Sequence, residues 1–371
     1  MNILTINTGS SSVRLSVFRE ISGRLTRIAN SKLTRDIDNP HPLLRTFLQE
    51  IDIPEINAVS HRIVHGGTEL TRTIMIDNAT EKKINALCDL APLHNRRALD
   101  WIAASKKISP QCGYHVGVFD TAFFADLPLV ATKYAIPLEI TNRYRIRRYG
   151  FHGLAHRAMW DQWQDLHTDL KNKGRIITLQ LGSGCSIAAI KNGTPMDTSM
   201  GFSPQEGLIM ASRCGDIDPG LILFLQDKMK LSTKETQNLL NKSSGLLGVS
   251  GGLSHDMKVL LESSNPEAQL AIDLYCYRIR KYIGAYLAVL QGIDGIVFGG
   301  GIGENAPPIR RQILQCLEWA GLKVDHELNK NATGISQISA SGISPQVWVI
   351  PVDEDRILAT EALSLLYPAK K

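Results

Sequence analysis

Two arginines, one histidine and a few acids are the residues of this chain whose type and setting could do chemistry. Arg62 stands inside an apolar, strand-like run at 58–67 (AVSHRIVHGG). A guanidinium there is costly to bury without a partner. Two partners are open to it: an anionic ligand gripped through a two-point hydrogen bond, or a structural Asp. Asp120 ends the apolar part of 117–124 (GVFDTAFF). An acid at a strand's C-terminal end suits metal binding or proton transfer, and equally a helix N-cap. His152 lies between Phe151 and Gly153 in 147–157 (RRYGFHGLAHR), where a backbone can approach a ligand. His156 reads as a helix-surface residue, and His94, in 91–95 (APLHN), as a structural histidine. Arg213 is followed by Asp216 and Asp218, a guanidinium beside two carboxylates. Asp353, Glu354 and Asp355 follow an apolar run at 347–352. Three acids at a strand end suggest attraction of Mg²⁺, or the cap of the next helix.

Glycine turns supply the second half of the chemistry. The apolar run 176–181 leads into Gly182-Ser183-Gly184, and a second run returns over 186–190 to an Asn192-Gly193 hairpin turn. Glycine tolerates positive φ and lets backbone amides face an anion closely. The N-terminus repeats the idea: a strand at 2–7, a small-residue turn with Ser10 and Ser12, and a returning strand at 13–18 that carries Arg14. A third turn, GGGIGEN at 299–305, follows the strand 294–298 and precedes a helix from Pro307. Two echoing strand–turn–strand units and a strand–glycine–helix start imply a duplicated nucleotide-binding fold.

Residues 19–56 read as polar connecting structure with one amphipathic stretch at 43–51. Helices are expected over 79–87, 97–106, 221–229, 233–240, 266–290 and 356–366, with a last strand at 347–352. No Walker A or GxSxG pattern occurs.

At 371 residues, 43% apolar and 21% charged, the chain has the composition of a two-domain globular protein. It shows no membrane-spanning run and no signal-peptide pattern at its start. Its six scattered cysteines form no CxxC and fit a reducing cytoplasm. The net charge of +5 favours anionic ligands. The basic run 143–148 is too short for a nucleic-acid surface, so neither nucleic acid nor membrane is expected as a partner.

These motifs resemble, nearly end to end, those of the acetate kinase family in the actin-like superfamily. The resemblance rests on NTGSSSVRLSVF, SHRIVHGG, APLHN, VFDTAFF, YGFHG, MDTSMGFSPQEGL, RCGDIDPG, SGLLG, GGGIGEN and PVDEDRILA. It implies an α/β protein of two duplicated actin-like (ribonuclease H-like) domains, with mixed sheets flanked by helices and an interdomain cleft. Domain I would be 1–120 plus 356–371, and domain II 121–355. It implies Mg²⁺-dependent, reversible phosphoryl transfer between ATP and a short carboxylate, giving acyl phosphate and ADP, with Mn²⁺ as a substitute metal. It implies a homodimer.

Carried onto this sequence, the resemblance gives Arg62 and Arg213 to the carboxylate and the moving phosphoryl, and His152 to that group in the transition state. Asp120 would orient substrate or metal. Glu354 would reach Mg²⁺ through water, with Asn7 beside it. Ser10, Ser12 and Arg14 would line the phosphate end with Gln180, Gly182, Ser183 and Gly184. Gly299, Gly300, Gly301, Ile302, Gly303 and Asn305 would receive the adenosine. Val64, Leu93, Phe151 and Pro204 would line an acetate-sized pocket, with His94 at the active site. A carboxylate acceptor is already ionised at neutral pH, so a positioning role suits Asp120 better than that of an obligatory base. The family usually has Lys at Arg14 and HLGNG where this chain reads QLGSG, so Gln180 and Ser183 differ beside the phosphates. Gly301-Ile302 keeps the open, ATP-type character. The alternatives are a propionate, butyrate or pyrophosphate-dependent sibling and, from another class, a non-catalytic actin-like nucleotide-binding protein.

Overall fold

The computed structural model describes residues 1–9, 12–51, 55–109, 111–170, 173–342 and 344–368. The chain divides into two units, one of Met1–Ala125 with Asp353–Lys371 and one of Asp126–Val352.

In the first unit β1 (Asn2–Thr8), β2 (Val13–Ile21), β3 (Arg24–Leu33), β4 (Ala58–Ile63), β5 (Ile74–Met75) and β6 (Tyr114–Phe119) form one sheet, in the order β3-β2-β1-β4-β6-β5. β1, β4 and β6 run parallel, so their C-terminal ends share one edge. β2 and β3 were not both expected. Residues 19–56, expected as connecting structure, hold β3 and a helix, Pro40–Glu50. β3 lies at the sheet edge and is largely exposed, so its sequence is polar on both faces and shows no apolar alternation. Ser22 and Gly23, with φ of 52° and 81°, make the two-residue turn that joins it to β2. Leu4, Ile6, Val13, Leu15, Val17, Leu44, Phe47 and Trp101 pack as one core, and the Trp101 indole donates to the Ile37 carbonyl at 3.0 Å. Each such fully buried aliphatic side chain contributes roughly 1.5–3 kcal/mol over its exposed state.

The second unit repeats the topology. β7 (Arg175–Leu181), β8 (Cys185–Lys191), β9 (Thr194–Thr198), β10 (Gly295–Gly299), β11 (Ser336–Gln337) and β12 (Gln346–Val349) are ordered β11-β12-β10-β7-β8-β9. β7 pairs antiparallel with β8 and parallel with β10, as β1 does with β2 and β4. The echo between the two hairpins is therefore a duplication of fold, the actin-like arrangement that the resemblance implies. Asn192 (φ 53°) and Gly193 (φ 82°) make the expected turn between β8 and β9.

Helices follow the expected segments with shifted ends. Proline opens the helix Pro92–Ile108 at its first turn, five residues before the expected start at 97. The 25-residue helix Pro266–Leu290 has the expected bounds. Gly300–Asn305 is itself helical, held by the Glu304 carboxylate, whose Oε1 accepts from the Gly300 amide at 2.9 Å. The last helix is Glu354–Leu366 and starts two residues before the expected position.

Candidate active site

In the first unit the site stands on the shared C-terminal edge of β1, β4 and β6. Asn7 and Arg62 are the next-to-last residues of β1 and β4, and Asp120 follows β6 directly. Strand alternation puts their side chains on one face. Arg62 grips Asp120: Nε lies 3.2 and 3.1 Å from its two carboxylate oxygens and Nη2 lies 2.7 Å from Oδ2. Arg62 Nη1 also donates to Asn7 Oδ1 at 3.1 Å and lies 3.7 Å from Glu354 Oε2. Burial would lower the Arg62 pKa, but Asp120, Glu354 and Asp355 together outweigh it and the net shift is upward. Of the two partners open to Arg62, the structure shows the structural acid.

The acidic run splits three ways. Asp353 caps the last helix, accepting from the Arg356 amide at 3.1 Å, and pairs with Arg27. Glu354 and Asp355 are buried. Asn7 Nδ2 donates to Glu354 Oε2 at 2.9 Å and to Asp355 Oδ1 at 2.8 Å. Arg14 Nη2 lies 2.6 Å from Glu354 Oε2, and Ser16 donates to Asp355 Oδ2 at 3.0 Å. Only Asp353 therefore acts as the solvated cap. Ser10 lies outside the described residues. Ser12 closes the first turn by accepting the Gly9 amide at 2.8 Å. Val64 is buried, whereas Leu93 is 70% exposed on the first turn of its helix beside the half-buried His94. Asn95 ties that turn to the HGG segment, accepting from the His65 amide at 3.1 Å and donating to its carbonyl at 3.0 Å.

In the second unit the Gly182-Ser183-Gly184 turn is the centre. A Cβ on Gly184 would lie 3.2 Å from both Cε1 and Nε2 of His152 and 3.6 Å from Nη2 of Arg213. The imidazole is closer than an ordinary Cβ contact, so a side chain there would push the ring aside, while the guanidinium is at ordinary contact distance. Arg213 does not pair with Asp216 or Asp218. Asp216 accepts from the Gly207 amide at 2.8 Å and from the Tyr282 hydroxyl at 2.8 Å, and meets Arg278 at 3.4 Å. Asp218 caps the helix Pro219–Met229. Arg213 Nη1 donates to the carbonyl of half-buried Pro204 at 2.6 Å. Among the described residues no carboxylate reaches ion-pairing distance of it. Burial lowers its pKa, against a smaller opposing contribution from Cys185. Arg213 is half-buried, and a half-buried guanidinium with no carboxylate beside it among the described residues can take an anion.

His152 is the N-cap of the helix Gly153–Leu166, in the left-handed region at φ 58°. Phe151 is buried beside it. His156, expected on the helix surface, is fully buried. Its ring lies between Thr178 and Ser186, and burial with the charge of His152 holds its pKa well below the usual value.

Gly182, Ser183, Gly301, Ile302 and Asn305 line one pocket of about 370 Å³. His255, Asp256, Met257 and Lys258 line it too. That segment escaped the sequence reading because it carries no glycine turn; a His and a Lys around an acid were its only signal. Gly299 and Gly300 make the bend into the pocket. A Cβ on Gly300 (φ +77°) would lie 2.7 Å from the Leu181 carbonyl and 3.0 Å from Gln180 Nε2. A Cβ on Gly299 would lie 2.8 Å from Met159 Sδ, and Gly303 packs on Phe298. Gln180 Oε1 is buried with no hydrogen-bond partner.

Residues 26–360 match the model of the acetokinase family. The chain belongs to the acetokinase family. As a member it is a kinase. It is 41% identical to the acetate kinase of Brachyspira hyodysenteriae, over 98% of this chain and 100% of that protein. Among solved structures it is similar to Porphyromonas gingivalis acetate kinase, with a TM-score of 0.89 and 35% identity over 99% and 100% of the two chains. A propionate kinase from Francisella tularensis matches with a TM-score of 0.88 and 33% identity over 97% and 98%. Among the described residues no helix is long and apolar enough to cross a membrane, and all six cysteines of this acetokinase-family chain are free thiols.

Proposed function

We propose that the protein transfers the terminal phosphoryl group of ATP to acetate, reversibly, giving acetyl phosphate and ADP. The observation that carries this reading is Arg213, a half-buried cation with no carboxylate partner among the described residues, set with His152 against the glycine turn. Family membership supports the same reading.

Phosphoryl transfer passes through a loose transition state whose charge lies on the equatorial oxygens. Arg213 and the His152 ring supply donors for those oxygens, and the glycine turn lets them approach. The attacking acetate oxygen is already ionised, and the bond to phosphorus forms as the bond to the ADP oxygen breaks. Arg62 binds the acetate carboxylate or the acyl phosphate. Asp120 fixes the plane of its guanidinium, a positioning role that requires no proton transfer. The family resemblance gives the methyl group to Val64 and Leu93 in the first unit and to Phe151 and Pro204 in the second. The pocket between the 182–184 turn and Gly301–Asn305 receives the nucleotide. The family resemblance gives Ser12 and Arg14 to its phosphates.

The donor set fits Mg²⁺. Among the described residues no group of three or more His, Cys, Asp or Glu could hold a metal, and Mg²⁺ keeps several waters and uses one or two carboxylates with substrate phosphates. Glu354, buried and oriented by Asn7, is the carboxylate that would reach its waters. When bound, Mg²⁺ neutralises charge between the transferring and leaving phosphates; Mn²⁺ would serve likewise. The free thiols fit the cytoplasm, and the family supports a homodimer.

The test is acetyl hydroxamate formation from acetate with ATP and Mg²⁺, beside propionate and beside pyrophosphate. Turnover with ATP and acetate, lost in Arg213→Ala, supports the reading. Turnover only with pyrophosphate or a longer acid moves the assignment to a sibling, and nucleotide binding without turnover moves it to a non-catalytic protein.

A further inference from the structure

β7 and β8 pair with Thr178 opposite Ala188 and Gln180 opposite Ser186. Thr178 and Ser186 are thus diagonal neighbours on one face, about 7–8 Å apart in such a ladder. An imidazole spans that gap. His156 lies there, with Nδ1 2.7 Å from Thr178 Oγ1 and Nε2 2.8 Å from Ser186 Oγ. Ser186 Oγ is also 2.9 Å from His152 Nδ1. His152 and His156 are one helical turn apart, and the His156 amide donates to the His152 carbonyl at 3.0 Å. Thr178, His156 and Ser186 are fully buried.

We propose that Thr178, His156 and Ser186 form a hydrogen-bond chain that holds the His152 ring with its Nε2–H against the Gly184 turn. Ser186 and His156 are then positioning residues, and the inference rests on His152 contacting the transferred phosphoryl.

The argument is a count of hydrogens. Ser186 has one proton and faces two imidazole nitrogens. It donates to one and must accept from the other. His156 is neutral, because burial and the charge of His152 depress its pKa, so it has one N–H. With Thr178 donating to His156 Nδ1, His156 Nε2–H donates to Ser186 and Ser186 donates to His152 Nδ1. A neutral His152 then carries its proton on Nε2. In the reverse direction Ser186 donates to His156 and accepts from His152 Nδ1. A neutral His152 would then point a lone pair at the turn and repel an anion, and only an imidazolium would keep Nε2–H. Only the first direction gives a neutral His152 a donor at the turn, and that is the direction proposed here. Arg213 Nη2 borders the same Gly184 turn as the His152 ring edge. The left-handed backbone at His152 alone does not fix the ring, since χ2 of an imidazole is soft.

The decisive measurement is the two-bond proton–nitrogen spectrum of protein labelled with nitrogen-15 histidine, above the imidazole range, with His152 assigned by its loss in His152→Gln. The wild type should show Nε2 protonated and Nδ1 bare. Ser186→Ala should mix the tautomers and lower kcat roughly 10- to 100-fold, with KM for acetate and ATP within about twofold. Ser186→Thr keeps the hydroxyl and should restore the tautomer and most of kcat. A wild-type His152 protonated on Nδ1 overturns the proposal without needing any variant to fold. So does Ser186→Ala with unchanged tautomer and kcat. If His152→Gln keeps wild-type kcat, the functional reading of His152 fails, while the spectra still judge the chain.

Discussion

Asp120 Oδ2 accepts from both Nε and Nη2 of Arg62, at 3.1 and 2.7 Å, and the Asp120 side chain is 1% exposed. Each buried charge is the other's main compensation. Removing one leaves the other stranded, at about 3–5 kcal/mol, whereas replacing both by apolar residues is often close to neutral. Asp120→Leu should therefore cost more than the double variant Arg62→Met with Asp120→Leu. Urea denaturation of the cycle checks this, and simple additivity of the two singles would sink it. The double variant should be folded and without turnover.

Arg213 is the opposite case, a half-buried cation that meets a carbonyl and, among the described residues, no carboxylate. Its charge is unfavourable for folding and useful for binding, the usual trade at a functional site. Arg213→Met should lower kcat about 100- to 1,000-fold, the loss seen when one transition-state donor is removed. It should leave Tm unchanged or raise it. Calorimetry beside steady-state kinetics is the check; a clear fall in Tm would mean that Arg213 is structural.

Much of this site was legible because the physics behind it is local. Glycine turns after apolar strands, an arginine in a strand and an acid at a strand end each carry their reason in a few adjacent residues. What escaped depended on tertiary neighbours. Asp216 and Asp218 stand next to Arg213 in sequence, yet they serve Gly207, Tyr282 and a helix cap. His156 is spaced like a surface residue, and only the diagonal of Thr178 and Ser186 makes it internal. The edge strand β3 has no apolar face to betray it. Residues 255–258 line the pocket of Gly182 and Gly301 with no glycine signature.

Arg310 holds the glycine helix from below. It is fully buried; Nη1 donates to the Gly303 and Glu304 carbonyls at 2.8 and 2.9 Å, and Nε and Nη2 bind Asn329 at 2.8 and 2.7 Å. Burial lowers its pKa to about 10. A six-residue helix cannot hold itself and depends on such outside bonds. Arg310→Met strands two carbonyls at about 1–3 kcal/mol each. Stability should fall by that order, and KM for ATP should rise several-fold while kcat at saturating nucleotide changes little. Lost stability with an unchanged KM for ATP would limit Arg310 to a folding role.

Acid should destabilise the first unit through its buried histidines. Burial pushes His65 down to about 4; burial and Lys106 push His115 to about 4; and burial, His115 and Lys106 hold His61 well below the usual value. His65 and His115 are 0% and 6% exposed. Their folded pKa values are lower than the unfolded value of 6.5. Between these limits the unfolded chain binds more protons, so stability rises with pH there. The contribution is complete above 6.5 and is lost as pH falls toward about 4. Each histidine adds a slope of about 1.4 kcal/mol per pH unit. His65 Nδ1 accepts the Gly67 amide at 3.0 Å, and an asparagine oxygen can replace that acceptor without titrating. His65→Asn should therefore flatten the acid limb of the stability curve by about one histidine's slope while leaving the neutral-pH value within about 1 kcal/mol. Urea midpoints measured across that range decide it. A limb as steep in the variant as in the wild type would show that His65 stays neutral in both folded and unfolded chains, or charged in both.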